Sequence, residues 1–368
     1  MGIYLLLKKE GIENPQKLDT LNINKIAANI SEKICKAFPE LNLNQSDLFI
    51  SLSRLDMYTA KFQDNSSSAK YAYGNNSIYF SQDMNFDDIS TLAVHECIHF
   101  IQETKDSKGK SVRLGLYDLV QQTGLGLNEA AVQYMASIAT NEVKDSVTYY
   151  GMTFDSISPD YYPLECALLN QIVNFTGSYP LYTSTINSND IFEKTFTDLV
   201  GQEFFYLIQD NFDKLLLLEA DIVTMSSKLI ESEEPIEKIR AMQDKISSKK
   251  NEITNLFLKM QNLIMEKFFQ ATFRKIETES DLKEFQENLY NYKNLLVLTE
   301  SDTFYNNFYC HMMKNVEFKQ NQLQQYGQII DIPSERKSLI KLERKTTSSL
   351  SKIQSLLNSI KNFIFGKN

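Results

Sequence analysis

The sequence predicts an α+β fold in which a small sheet and two motif-bearing helices come first and a mostly α-helical region follows. β-forming residues separated by turn residues are concentrated in the first half, whereas residues 236–326 contain neither glycine nor proline. Because glycine and proline interrupt helices, so long a stretch without them is typical of long helices. We therefore predict two domains, residues 1–185 and residues 186–368.

The first half contains two predicted strands. Gly74, Asn75 and Asn76 form a turn-like sequence, and the alternating segment 77–81 that follows is rich in β-formers. The apolar run from Leu48 to Leu55 is predicted as a second strand. We expect the resulting small sheet to pack on the helices that follow it.

The most informative motif is His-Glu-x-x-His at residues 95–99, because it uses two of the 3 histidines in the chain. An apolar run from Ile89 to Gln102, preceded by Asn85 or Asp87 as a helix cap, predicts that the motif lies on a helix. Residues four apart share one helical face, so both imidazoles can bind one metal ion. The motif therefore predicts a zinc site that still needs a third protein ligand.

A second segment, Gly-Leu-Asn-Glu-Ala at residues 126–130, follows a polar, turn-like stretch and starts a new helical pattern. Together the two motifs resemble those of the thermolysin-like metallopeptidases, or gluzincins, across roughly residues 75–140. The resemblance implies a zincin-like metallopeptidase domain that binds one Zn²⁺ per chain through His95, His99 and Glu129. It also implies that Glu96 is the general base of peptide hydrolysis.

The sequence departs from the family pattern one turn after Glu129, where the family often has an aspartate and this chain has Gln133. An amide oxygen can accept a hydrogen bond from a zinc-bound imidazole but adds no negative charge. The alternatives for the third ligand are Glu142 and Glu165. In the family, an edge strand before the motif helix pairs with the substrate, which segment 77–81 would do here; an ordinary half-buried strand is the equal alternative.

A peptidase also needs a donor for the developing oxyanion. We select Tyr161 and Tyr134 as candidates, and Tyr117, Tyr149, Tyr150 and Tyr162 are the alternatives. His311 lies in a distant helical segment and is interpreted as a core or rim residue.

The second half predicts a coiled-coil-like hairpin at about residues 203–275, with a heptad seam from Ile239 to Leu263 that is broken by Lys249. Three further helical segments follow, at about 279–299, 301–328 and 334–365. Packing within the chain is favoured, and a protein partner or self-association through these helices is the alternative.

Composition and charge indicate the class of protein. At 42% hydrophobic and 23% charged residues, the chain is an ordinary globular protein. The net charge is −9, and all of it arises within residues 1–200, which favours a neutral or basic substrate and argues against a nucleic-acid partner. Solubility alone is the alternative explanation of this charge, and it is the preferred one. No apolar run has the length of a transmembrane segment.

Localisation follows from the N-terminus and the cysteines. Residues 1–9 lack the features of a signal peptide, and the 4 cysteines are scattered, which is typical of free thiols in a reducing compartment. We expect a cytoplasmic protein, although export without a signal peptide is compatible with the same sequence.

The functional hypothesis is a zinc-dependent metallopeptidase, an endopeptidase acting on a protein or peptide substrate. One alternative is a regulatory cytosolic protease that resembles the ImmA/IrrE group, which pairs this motif with a downstream glutamate. The other is a helical scaffold or interaction protein whose zinc site is inactive or structural. The presence of Glu96 argues against a structural site, which has no use for a general base.

Overall fold

A four-stranded sheet with two helices forms the beginning of the described chain. The computed structural model describes residues 11–63, 69–73, 75–230, 235–297 and 303–330, with residues 230 and 326–330 as backbone only. The first elements are β1 (Ile12–Lys17), α1 (Thr20–Ala37), α2 (Gln45–Ser53), β2 (Asp56–Phe62), β3 (Ala69–Ala72) and β4 (Ser77–Ser81).

The sheet has the strand order β1-β2-β4-β3. β2 and β4 are parallel, and the two outer strands are antiparallel to their neighbours. The predicted strand at 77–81 is confirmed as β4, and it forms a hairpin with β3 in which Ala72 pairs with Ser77. Gly74 of the predicted turn lies outside the described residues. β4 is an interior strand, so the expectation that it lies at the edge was wrong; β3 occupies that edge.

The prediction of a strand from Leu48 to Leu55 was also wrong, because most of this segment lies in the helix α2. The side-chain oxygen of Asn44 accepts hydrogen bonds from the backbone N–H groups of Ser46, at 2.9 Å, and Asp47, at 3.3 Å. This cap starts a helix, and Leu48 and Leu52, four residues apart, then face the core.

Two central helices carry the motifs, and small β-hairpins connect the neighbouring elements. In chain order these are α3 (Thr91–Ile101), β5 (Glu103–Lys105), β6 (Ser111–Leu114), β7 (Tyr117–Asp118), α4 (Leu125–Ala139), β8 (Asp145–Tyr149), β9 (Met152–Ser156) and α5 (Pro163–Thr176). α3 packs against α4 and against β3, and α4 packs against α5. The chain therefore has mixed α/β structure up to this point.

The rest of the described chain is helical, as predicted. Its elements are α6 (Ser178–Asn187), α7 (Ile191–Val200), α8 (Gln202–Ile230), α9 (Ile236–Arg274), α10 (Glu279–Asn291) and α11 (Phe304–Ile330). The predicted helical segment at 334–365 lies outside the described residues.

α8 and α9 form the predicted antiparallel hairpin. Lys214 pairs with Glu252 at 2.9 Å, and Asp221 pairs with Lys249 at 2.7 Å, so residue numbers rise along one helix as they fall along the other. Three side chains of the predicted seam are buried, namely Ile246, Ile253 and Met260. Lys249 interrupts that seam because its ammonium group reaches the carboxylate of Asp221.

One apolar cluster extends from Ile23 on α1 to Val297, and it includes buried side chains of the sheet, of α3 and α4, and of the hairpin. A second cluster joins the end of α9 to α10 and α11. The domain boundary at residue 185 stays a prediction. Within the described ranges, no helix combines the length and the apolar composition that crossing a bilayer requires.

Candidate metal centre

α3 places both motif histidines on one buried face. The helix begins after Ser90, whose hydroxyl oxygen accepts a hydrogen bond from the N–H of Ala93 at 3.3 Å, a few residues later than the predicted cap. His95 is 2% exposed and His99 is 9% exposed. Their ring centroids are 4.6 Å apart, as expected for residues one helical turn apart.

α4 carries Glu129, and the helical half of the chain holds the start of α4. Gly124 precedes the helix with a φ of +86° and has no capping side chain. Instead, the carboxylate of Asp213 on α8 accepts hydrogen bonds from the N–H groups of Gly124, at 2.8 Å, and Gly126, at 2.6 Å. A Cβ atom at Gly126 would lie 2.3 Å from the carbonyl oxygen of Phe212, so only glycine permits this close approach.

The three predicted ligands meet where α3 packs on α4. Nε2 of His95 lies 2.9 Å from Nε2 of His99. The Glu129 oxygens lie 3.2 Å from His95 Nε2 and 3.5 Å from His99 Nε2. Ligands about 2.0–2.1 Å from a tetrahedral zinc ion are separated by about 3.3 Å. One ligand atom from each of the three side chains lies within 4.8 Å of the other two, so this group, within the described residues, could hold a metal ion.

Gln133 fixes which nitrogen of His95 faces this group. The hydroxyl of Ser158 donates to the carbonyl oxygen of Tyr161 at 2.7 Å, so its oxygen accepts from Nε2 of Gln133, at 2.8 Å. The carbonyl oxygen of Gln133 then accepts from Nδ1 of His95, at 2.9 Å. With its proton on Nδ1, the neutral ring presents the lone pair of Nε2 to a metal.

Gln102 has the corresponding position beside His99, with its amide 2.7 Å from Nδ1. The amide nitrogen faces the ring, and the amide oxygen is buried without a hydrogen-bond donor. Rotation of the amide by 180° places the oxygen against Nδ1–H. That orientation satisfies the oxygen and leaves the Nε2 lone pair of His99 free for a metal.

Glu96 lies on the motif helix α3, and its carboxylate reaches the edge strand β3. One carboxylate oxygen, Oε2, accepts a hydrogen bond from the backbone N–H of Tyr71 on β3, at 2.6 Å. Burial raises the pKa of Glu96 to about 7, although the charge of His95 opposes the shift. The other oxygen, Oε1, is therefore the one available to exchange a proton within the site.

The pKa of Glu129 is shifted in the opposite direction to that of Glu96. Burial acts to raise the pKa of its carboxyl group, but the charge of His99 and hydrogen bonds to both histidines lower it well below the usual range. Its carboxylate is therefore ionised at neutral pH, which is the state that binds a metal cation.

Tyr162 is the tyrosine that the structure brings to the histidines, whereas sequence analysis selected Tyr161. The ring of Tyr162 stacks on His95, with centroids 6.0 Å apart and planes at 22°. The charge of Glu129, followed by burial, raises the pKa of Tyr162 well above its usual value. Its hydroxyl therefore keeps its proton and can donate a hydrogen bond.

The other predicted residues lie elsewhere. The hydroxyl of Tyr134 donates to Asn170 on α5 at 3.1 Å, which ties α4 to α5. Tyr161 is partly buried against the main core. Glu142, an alternative third ligand, accepts from the hydroxyl of Ser137 at 2.5 Å. His311 is exposed on α11 beside Asn315.

No protein-family model, curated protein or solved structure matches this chain. The chemical interpretation of the site therefore depends on the geometry of these residues.

Proposed function

We propose that the protein is a zinc-dependent metallopeptidase of the gluzincin kind, with His95, His99 and Glu129 as the metal ligands. The observation that carries the proposal is the convergence of the three side chains: the two Nε2 atoms are 2.9 Å apart, and each lies within 3.5 Å of one oxygen of Glu129. Glu96 adjoins this group and has no structural partner except the N–H of Tyr71 among its described hydrogen bonds. A purely structural metal site needs no such carboxylate.

Each side chain has a separate role in the proposed reaction. Bound zinc supplies a Lewis acid that polarises the substrate carbonyl and lowers the pKa of a water molecule. Oε1 of Glu96 receives the proton of the attacking water and returns it to the leaving amine. The hydroxyl of Tyr162, held near His95, donates a hydrogen bond to the oxyanion that develops on the carbonyl.

The edge strand offers a place for an extended peptide. Among the described strands, β3 pairs with β4 alone, so its other side is unpaired, and β3 also packs against α3. The N–H of Tyr71 points to this free side, where it meets Glu96. A peptide added as a further strand along this side would bring its backbone next to Glu96 and the metal ligands. The proposed substrate is therefore a peptide segment in extended conformation.

Glu96→Gln tests the proposal, because it removes the base and retains a side chain of the same shape. We expect one zinc per chain in both proteins by elemental mass spectrometry, and a turnover of a cleaved peptide that is about 10²–10⁴-fold lower in the variant. The control is Glu203→Gln, an exposed glutamate on α8. Equal turnover by Glu96→Gln and the wild-type protein would exclude the assigned mechanism.

The alternative of a helical scaffold with an inactive site predicts a different result. In that case the purified chain would hold no zinc after addition of the metal, or would hold zinc and cleave no member of a peptide library. A protease of the regulatory kind would instead cleave one sequence and ignore the rest of the library.

A further inference from the structure

A chain of hydrogen bonds runs along α4 from the candidate metal centre to Glu142. Glu129, Gln133 and Ser137 are spaced four residues apart, so they lie along one face of the helix. The amide nitrogen of Gln133 donates to the hydroxyl oxygen of Ser137 at 3.3 Å, and this hydroxyl donates to Oε2 of Glu142 at 2.5 Å. The amide oxygen of Gln133 lies 2.9 Å from Nδ1 of His95. Three hydrogen bonds therefore connect Glu142 to a proposed zinc ligand.

The way α4 ends explains how Glu142 reaches Ser137. Asn141 has a left-handed backbone with a φ of +52°, which asparagine tolerates better than most residues. The N–H of Asn141 donates to the carbonyl oxygen of Ile138 at 3.1 Å, and the N–H of Glu142 donates to that of Ser137 at 2.8 Å. These two bonds are those of the Schellman motif, which turns the chain back over the last helical turn. Both the backbone and the side chain of Glu142 consequently meet Ser137.

A carboxylate at this end of a helix is electrostatically unfavourable. The last carbonyl groups of a helix carry partial negative charge, and α4 has no basic residue in its last turn. Burial raises the pKa of Glu142, and the hydrogen bond from Ser137 opposes that shift. Capping of α4 alone does not account for an acidic side chain here, because the backbone N–H groups already complete the cap.

The amide of Gln133 meets two hydroxyl groups whose protons are donated elsewhere. Ser137 donates to Glu142, and Ser158 donates to a backbone carbonyl oxygen at 2.7 Å. Both hydroxyl oxygens can therefore only accept, so the amide nitrogen of Gln133 has to face them. Rotation of the amide by 180° would place its oxygen against two oxygens that offer no proton. Gln133 is 0% exposed, so no bulk water can compensate, and its amide oxygen stays directed at His95.

We propose that Glu142 is a positioning residue of the candidate metal centre, acting through Ser137 and Gln133 to keep the proton of His95 on Nδ1. The inference rests on the proposed zinc site. Without Glu142, the hydroxyl of Ser137 can turn and donate to the amide oxygen of Gln133, which permits the amide to reverse. The proton of the imidazole then belongs on Nε2, which leaves no lone pair there for a metal. Loss of Glu142 therefore weakens zinc binding, although Glu142 does not touch the zinc.

Zinc affinity tests the positioning role, measured by competition with a chromophoric chelator. Glu142→Leu and Ser137→Ala should each lower the affinity by about 10–100-fold, the usual loss when a partner behind a metal ligand is removed. Glu142→Gln keeps an oxygen that can accept the proton of Ser137 and should stay within about threefold of the wild-type affinity. The control is Ser31→Ala, which removes a buried hydroxyl on α1 and should leave the affinity unchanged.

A double variant distinguishes this role from a general structural one. If Glu142 acts through Ser137, Ser137→Ala/Glu142→Leu should match Ser137→Ala alone within about twofold. A purely structural Glu142 would instead add its own loss to that of Ser137→Ala. Circular dichroism establishes that each variant is folded before the titration. Additive losses would overturn the proposal, and so would equal losses in Glu142→Gln and Glu142→Leu or an unchanged affinity in Glu142→Leu.

These measurements also separate failure of the positioning role from failure of the peptidase. Zinc binding with the expected non-additive losses, in a protein that cleaves no peptide, would reject the peptidase and retain the role of Glu142. Peptide cleavage that is lost in Glu96→Gln, together with unchanged zinc affinity in Glu142→Leu, would reject the role and retain the peptidase. A chain that binds no zinc would reject both.

Discussion

At the scale of single residues, the two histidines of the candidate metal centre have neutral amide partners, Gln133 and Gln102. Gln133 holds His95 through an amide, and the amide is itself oriented by Ser158. An amide leaves the imidazole less basic than a carboxylate would. The carboxylate of Glu129 is consequently the only negative charge among the three proposed ligands.

The two neighbouring tyrosines give a prediction at this scale. Tyr162→Phe should lower kcat by about 10²–10³-fold, because it removes the proposed oxyanion donor and keeps the ring that stacks on His95. Tyr161→Phe is the matched control and should have a kcat close to that of the wild-type protein. Steady-state kinetics on one peptide measures both, and the reverse order would assign the role to Tyr161.

At the scale of elements, the start of α4 is stabilised by a residue 89 positions away from Gly124 in the sequence. The peptide N–H groups at the start of a helix need acceptors, and an aspartate there also interacts favourably with the helix dipole. Because α4 carries Glu129, a change in where α4 begins would move the proposed ligand Glu129.

Asp213→Ala should therefore lower the free energy of unfolding by about 1–2 kcal/mol, which is the usual loss when a helix cap is removed. Asp210→Ala, which changes an exposed residue on the same helix, should alter it by less than about 0.5 kcal/mol. Urea denaturation of both variants measures the difference. Equal stability of the two variants would show that the hydrogen bonds to Gly124 and Gly126 contribute nothing net.

Local sequence patterns predicted the elements that depend on local contacts. The motif helices, β4 and the α8–α9 hairpin follow from periodicity and turn residues, whereas the cap of α3 is Ser90 rather than the predicted Asn85 or Asp87. The run from Leu48 to Leu55 has a β-forming composition, but most of it is helical. Asn44 caps the helix, and the four-residue spacing of Leu48 and Leu52 places both side chains in the core.

Contacts between residues far apart in the sequence could not be predicted from local sequence patterns. The contacts of Asp213 with Gly124 and of Glu219 with Glu165 join residues far apart in the sequence, and no local periodicity marks either pair. The choice between Tyr161 and Tyr162 likewise depends on the fold, in which the ring of Tyr162, a residue with a φ of +50°, stacks on His95. Only the folded chain distinguishes these neighbours.

At the scale of the whole molecule, the buried pair of Glu165 and Glu219 makes stability depend on pH. An ordinary glutamic acid loses its proton near pH 4.5, and burial raises the pKa of both groups in the folded chain. As the pH rises above that value, the unfolded chain releases protons that the folded chain retains. The contribution of this pair to the free energy of unfolding should therefore be highest at low pH and fall as the pH rises toward the folded pKa.

Glu219→Gln should reduce this dependence, because it removes one of the two titrating groups. We expect a shallower decrease of the melting temperature between about pH 5 and pH 8 in the variant, measured with a chelator so that metal binding does not contribute. Glu203→Gln should reproduce the wild-type slope. An unchanged slope in Glu219→Gln would mean that the pair has no unusual affinity for protons.

The close approach of α8 to Gly126 has a consequence for dividing the chain. A fragment ending at residue 185 would lack Asp213, and the N–H groups of Gly124 and Gly126 would lose their acceptor. It would also expose to water the apolar side chains of α4 and α5 that the hairpin covers. Both motifs would then be present without the side chains that cap and cover α4, so the candidate metal centre depends on the hairpin as well as on the motifs.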